Sequence, residues 1–180
     1  MRILVSVASK HHATAEIAHA VTEELRAAGH DVVTADPEAV SSLDGIDALV
    51  LGSGVYAGHW LKPARELAAR FENELAGRPV WLFSSGPLGD PPKPDPDGID
   101  VAEIVRRTGA REHQVFSGRL DRSALGFAER TVARAVKAPE GDFRDWDAVR
   151  AWARQIADDL ASVDPRQRSA SAGGSGPAGR

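Results

Sequence analysis

The 180-residue sequence contains no cysteine. That absence excludes disulfides, iron–sulfur clusters, thiolate zinc sites and cysteine nucleophiles, while saying little about compartment. Long apolar runs are missing too. Only six residues separate Arg2 from Ser9 in the opening MRILVSVASK, too few for a signal-peptide core or a membrane span. The expectation is a cytoplasmic protein. Nor is there a large excess of charge of one sign. The formal net charge of −4 divides into −7 over residues 1–100, +4 over 101–137 and −1 over 138–180. An acidic body with one basic segment argues against nucleic-acid binding. The basic segment suits an acidic ligand or an anionic membrane surface. What is present is ordinary for one globular domain: 42% hydrophobic and 27% charged residues in a chain long enough to bury a core.

Apolar runs of strand length alternate with stretches of helical period. RILVSVA (2–8) reads as a first strand, HDVVTA (30–35) as a second, IDALVLGS (46–53) as a third, RPVWLFSS (78–85) as a fourth and EHQVFSGRL (112–120) as a fifth. Between them Ile17, Ala18, Val21 and Leu25 recur at helical spacing from Thr14 to Ala28, with Gly29 placed to cap the C-terminus. A second helix runs through Leu67, Phe71 and Leu75 to Gly77, and a third falls within 99–108. The closing helix spans 145–160, with Trp146, Val149, Trp152, Ala153, Ile156 and Leu160 on one face. The pattern predicts an α/β fold, an open parallel sheet with helices on both faces. The domain is expected over residues 1–162, with 163–180 a low-complexity, disordered tail.

In such sheets ligands bind beyond the carboxyl ends of the strands. Three loops qualify: 9–14, 53–60 and 84–98. The first joins a strand to a helix, so it offers backbone N–H groups and the positive end of the helix dipole. Ser9 and Thr14 add hydroxyls; Lys10, His11 and His12 add further donors. A phosphate monoester fits this chemistry, and so does the plainer reading that Ser9 or Thr14 only caps the helix. Metal is the weakest of the three readings, because adjacent histidines diverge and no carboxylate stands beside them. A phospho-receiver is rejected, since Ser9-Lys10 and Gly52-Ser53 occupy the places where it needs acidic residues.

The segment SKHHAT resembles the phosphate loop of flavodoxins, T/S-x-T-G-x-T. Ser9 and Thr14 fall on the outer hydroxyl positions, His11 on the middle one and His12 on the glycine. GSGVYAGHW (52–60) and SSGPLGD (84–90) resemble the two segments of that family that contact the flavin ring. The stretch VFSGRLD, a basic segment and EGDFRDWDAVRAWARQIA are similar to the menaquinone-dependent protoporphyrinogen oxidases, which carry an insert before the last helix, here 121–144. The resemblance covers about residues 1–162 and implies a flavodoxin-like, doubly wound five-stranded sheet in the order 2-1-3-4-5.

It also implies FMN as cofactor. Ser9, Lys10, His11, His12, Ala13 and Thr14 would hold its phosphate, the amides of 10–14 included. Ser53, Gly54, Val55, Tyr56, Ala57, Gly58 and Trp60 would line the ring, with Ser84, Ser85 and Gly86 at its pyrimidine side. Tyr56 is the favoured stacking residue, whereas Trp60 is weighed equally between stacking and helix packing. His59 is a candidate proton carrier, set against the commoner role of a solvated loop histidine. In 121–137, Leu125, Ala128, Val132 and Val136 form one helical face with arginines around it, a basic amphipathic helix packed on the domain or touching a membrane peripherally. The functional readings are three: an FMN oxidoreductase resembling protoporphyrinogen oxidase, with a small-molecule donor and a quinone acceptor; a one-electron carrier with a redox-protein partner; and a flavodoxin-like module that has lost FMN.

Overall fold

The computed structural model describes residues 1–86, 99–120 and 140–162. The described elements, in chain order, are β1 (Arg2–Ala8), α1 (Ala13–Ala27), β2 (Asp31–Ala35), β3 (Ala48–Tyr56), β4 (His59–Trp60), α2 (Lys62–Arg70), α3 (Glu72–Leu75), β5 (Val80–Ser85), α4 (Ala102–Thr108), β6 (Glu112–Phe116), β7 (Arg119–Leu120), β8 (Gly141–Asp142) and α5 (Trp146–Ser162). Five parallel strands pair in the order β2-β1-β3-β5-β6. Leaving out the short β4, which only folds back on β3, this is the expected 2-1-3-4-5 flavodoxin-like sheet.

The apolar runs become central strands because both their faces are covered. Ile3, Val5, Ala48, Val50, Trp81 and Phe83 pack under α1 and α5, while Leu4, Leu49, Leu51, Val80 and Leu82 pack under α2 and α4. On the first side Phe83, Phe116 and Trp152 form a ring cluster, with centroids 5.5–6.1 Å apart, that seats α5 on the sheet. Gly52 makes room for it: a Cβ there would collide with the Phe83 ring. Helix ends follow sequence signals. Gly29, at φ 86, ends α1 by donating to the Arg26 carbonyl, and Asp145 Oδ1 accepts from the Ala148 amide at the start of α5.

Three boundaries differ from the sequence expectation. The second helix breaks at Phe71, whose φ of −108° separates α2 from α3. The third strand continues to Tyr56 instead of stopping at Ser53. The fifth stops at Phe116, and Arg119–Leu120 leave the sheet to pair antiparallel with Gly141–Asp142. Residues 121–139 of the insert, the proline-rich 87–98 and the tail 163–180 lie outside the described residues, and with them the amphipathic-helix expectation. No described helix is long and apolar enough to cross a membrane.

Candidate functional site

Sheet register brings the three loops together. Ala8 pairs with Ser53, Ser53 with Ser84 and Ser84 with Val115, so the strands end at one level and their following loops share one edge. The first loop, Ser9 to His12, turns sharply into α1. Its helix N-cap is His12, at φ 62 and ψ −16 with no side-chain capping bond. This is the left-handed region, which histidine enters more readily than most residues. The position matched to the family's glycine therefore does take a positive φ here, with a side chain on it.

The competing idea that Ser9 or Thr14 caps the helix does not describe this loop. Thr14 sits inside the first turn of α1, buried. Ser9 Oγ is buried and has no hydrogen-bond partner among the described residues. Such a hydroxyl costs about 1–3 kcal/mol unless something else satisfies it. One amide expected to face a ligand is engaged instead: the Ala13 N–H donates to the His11 carbonyl at 2.8 Å.

Opposite this loop stands a hairpin. Tyr56 pairs with His59 and Val55 with Trp60, while Ala57 and Gly58 take φ values of 50° and 80°. Two successive positive φ values define the two-residue turn that matches strand twist, which is why β3 outlasts its apolar run. Tyr56 is 38% exposed, with Lys10 Nζ 5.5 Å from its ring centroid and the His11 ring 6.4 Å away at a 53° tilt. Gly54 closes the gap between the loops. A Cβ there would lie 3.3 Å from Thr14 Oγ1 and 3.4 Å from Tyr56 Cε2.

Other expected contacts turn inward. Trp60 is 2% exposed within the α2/α4 core, so its side chain takes the packing role. Its indole N–H donates to Ser84 Oγ at 2.7 Å, and His113 Nε2 lies 2.7 Å from the same oxygen. Tryptophan can only donate, so Ser84 Oγ is the acceptor in that pair and its own proton is available to His113 when Nε2 carries none. Burial pushes the His113 imidazole below the ordinary histidine value, in keeping with a neutral acceptor. Ser53 Oγ accepts from the Leu61 amide and donates to the Gly54 carbonyl. Ser85 is buried too, and a Cβ on Gly86 would sit 3.2 Å from Val55. What the hairpin presents outward is Tyr56, Ala57 and His59, whereas the Ser84 and Ser85 side chains face inward. His59 Nδ1 lies 3.6 Å from Asp100 Oδ2, beside a backbone bond from Asp100 N–H to the Gly58 carbonyl.

Beneath the first loop is a feature that sequence reasoning missed. The Arg144 side chain is 2% exposed. Nε and Nη2 donate to both oxygens of Asp142, Nη1 donates to Glu16 Oε2 at 2.7 Å and to the Ala13 carbonyl at 3.1 Å, and the guanidinium lies 4.4 Å from the Trp146 ring centroid. Arg119 reaches the same Glu16 at 3.1 Å. The first turn of α1 is thus braced on the β7–β8 pair. The only sequence signal was the RDW triplet (144–146), noted for its likeness to a family and not for any contact with Glu16.

The groups gathered at the cleft are chemically suited to an anion and a flat ring. They are a helix N-terminus, a buried unsatisfied hydroxyl, one lysine, two histidines and an exposed tyrosine. Among the described residues no group of three or more His, Cys, Asp or Glu side chains could hold a metal ion. A second cleft of about 380 Å³ opens between α1 and the β1–β2 edge, lined in part by Val5, Val7, Ala15, Thr22 and Thr34, and it includes no residue of the three loops themselves.

Comparison with known proteins agrees with the fold. The family model described as flavodoxin domain matches residues 4–147. No curated protein matches the chain. Among solved structures, rubredoxin oxygen:oxidoreductase from Desulfovibrio gigas superposes with a TM-score of 0.60 at 14% identity, over 89% of this chain and 36% of that one. A flavodoxin from the domain Archaea gives 0.58 at 16% identity, covering 89% and 99% of the two chains. The flavodoxin of Streptococcus pneumonia TIGR4 gives 0.57 at 19% identity, covering 90% and 99%. This chain therefore spans about a third of the oxidoreductase and nearly all of each flavodoxin. At these identities the likeness establishes the fold.

Proposed function

The chain belongs to the flavodoxin domain family, and from that premise we propose that it is an FMN-dependent oxidoreductase that resembles the menaquinone-dependent protoporphyrinogen oxidases. It would pass electrons from a reduced organic substrate to a quinone. The observation that carries the cofactor is the buried, unpartnered Ser9 Oγ at the entrance to α1. A phosphate oxygen is the kind of group that would satisfy it. Ser9, Thr14 and the outward amides of the loop would hold the phosphate. Tyr56 would offer a flat face to the ring, and Gly54, at the foot of the cleft, leaves room for close backbone approach. Bound FMN supplies the hydride and electron chemistry, so the protein needs to bind, orient and shield. His59, with Asp100 Oδ2 3.6 Å from its Nδ1 at the rim of the hairpin, would be the candidate proton carrier.

The oxidoreductase reading draws support from the β7–β8 pair, which brackets residues 121–139 and is tied to the cofactor loop through Arg144 and Arg119. The carrier reading draws its support from the full-length match to flavodoxins. Purified protein should be yellow, with bands near ~375 and ~450 nm from bound flavin. Ser9→Ala with Thr14→Ala should weaken FMN binding about tenfold or more. Colourless protein that ignores added FMN would overturn the assignment. Two-electron turnover with a menaquinone analogue supports the oxidoreductase; transfer to one-electron acceptors alone makes it a carrier.

A further inference from the structure

The loop between β1 and α1 holds three residues able to carry positive charge in succession, Lys10, His11 and His12, where the resemblance calls for neutral hydroxyl and glycine positions. Two of them stand on the cleft with Tyr56: Lys10 above its ring and His11 tilted against it. The third is the N-cap itself, an exposed side chain on a left-handed backbone. Under them lie the unpartnered Ser9 Oγ and the N-terminus of a 15-residue helix. The helix dipole and the orphan hydroxyl favour negative charge at the end of α1, and the three side chains stand on the same short loop.

We propose that Lys10, His11 and His12 make this a charge-compensating phosphate cradle, whose grip on a phosphate monoester depends on protonation of the two imidazoles. The proposal rests on the FMN reading above and concerns how this chain holds that cofactor. A cradle of amides and hydroxyls alone would bind more tightly as the phosphate gains its second charge near pH 6, then level off. A histidine-charged cradle loosens again above neutrality, where the phosphate no longer changes but imidazoles lose their protons. Among the described residues, the other charged groups near this loop are Glu16, on α1, and the Arg119, Asp142 and Arg144 set of the β7–β8 pair, in which both arginines bond Glu16. None of those residue types changes charge between pH 7 and 8.5 in the way histidine can. Two further titratable side chains are near: Tyr56 across the cleft, and His19 on α1, past its first turn. The amino terminus lies at the opposite end of β1.

The test is FMN and riboflavin affinity, measured by fluorescence quenching from pH 5.5 to 8.5 on the full chain. An ordinary histidine raised about one unit by a phosphate loses about threefold in affinity between pH 7.0 and 8.5, and a pair about tenfold. We expect that decline for FMN and a flat line for riboflavin, which lacks the phosphate. Gln at 11 and Gly at 12 (His11→Gln with His12→Gly) should abolish it. Glycine is the residue that the left-handed N-cap accepts most easily, so this variant keeps the loop's backbone. Ring-proton NMR of His11 and His12 gives an independent readout: saturating FMN should move their titrations to higher pH. FMN binding that stays flat from pH 7.0 to 8.5, or a decline that survives in the double variant, overturns the charged cradle and leaves the cofactor reading standing. No FMN binding at any pH overturns both.

Discussion

Replacing Arg144 is the sharpest probe of how the loop between β1 and α1 is held. Its guanidinium is almost fully enclosed, makes two bonds to Asp142 and two to α1, and lies over Trp146. Removing one partner of a buried ion pair costs about 3–5 kcal/mol. Here the strandable charges are Asp142 and Glu16, whose side chains are 42% and 43% exposed and can rehydrate. That pulls the figure toward the lower bound, while the lost guanidinium–indole contact and the vacated volume pull it back. The expected cost of Arg144→Ala is about 3 kcal/mol, or about 6–12 °C in Tm for a chain of this size. Arg144→Lys keeps the charge but loses the fork, and should cost about half as much.

The same interaction has a pH signature. The Arg144 side-chain bonds hold the Asp142 carboxyl below its ordinary value of 3.8. The stability this confers is present above that value and fades as pH falls through the lower folded value. The gap between native protein and Arg144→Ala should therefore narrow in acid below about pH 4. Urea unfolding followed by far-UV circular dichroism at pH 7 and pH 3.5 reads both effects. A cost below about 1 kcal/mol at pH 7 would refute the brace, because it would make Arg144 equivalent to a surface ion pair.

Gly52→Ala should destabilise by more than about 2 kcal/mol in the same assay, since its Cβ would meet the Phe83 ring in the middle of the aromatic cluster. His113, held by burial below the ordinary histidine value of 6.5, makes the unfolded chain the first to bind a proton as pH falls. Stability should drop below about pH 6.5 by at most about 1.4 kcal/mol per pH unit from this group. His113→Gln should flatten that slope, and an unchanged slope would assign it to other groups, of which the partly buried His30 is one.

How much of this was legible in the sequence varied with the range of the interaction. The five main strands were visible because each central run is apolar on both faces, and α1 and α5 because their buried positions repeat at helical spacing. The loops could be located by the rule that ligands bind at strand carboxyl ends. Whether their side chains faced a ligand could not. Trp60, Ser53 and Ser84 look like rim residues in one dimension, yet hydrogen bonds to Leu61, Gly54 and His113 draw their side chains into the core. Residues 119–120 (β7) read as part of the fifth strand because FSGRL keeps an extended pattern past Gly118, and their pairing with Gly141–Asp142 has no local signal. Arg144 joins positions 128 residues apart, and no local periodicity encodes such a contact.

Where this chain departs from local preference is informative. Only two described non-glycine residues have positive φ, His12 and Ala57. They stand in the two loops that face each other through His11, Lys10 and Tyr56. A left-handed conformation costs a side-chain-bearing residue about 1–2 kcal/mol, and the unsatisfied Ser9 hydroxyl adds about 1–3. Both positive-φ residues and Ser9 fall in the loops around one cleft, while the strands and helices behind it are well packed and leave Thr22 Oγ1, Trp81 Nε1 and one Arg78 guanidinium nitrogen as further buried atoms without a hydrogen-bond partner among the described residues. Positive φ at two non-glycine residues in facing loops is the kind of backbone strain that clusters at functional sites. The brace from Arg144 explains how the fold sustains it: the first turn of α1 is held from below by bonds that do not involve the loop's own side chains. The loop can thus keep His12 left-handed and Ser9 unpaired without α1 unwinding to relieve them. Under the FMN reading proposed above, a phosphate oxygen would accept from the Ser9 hydroxyl and its charge would meet the helix end, which a neutral ring alone would not do.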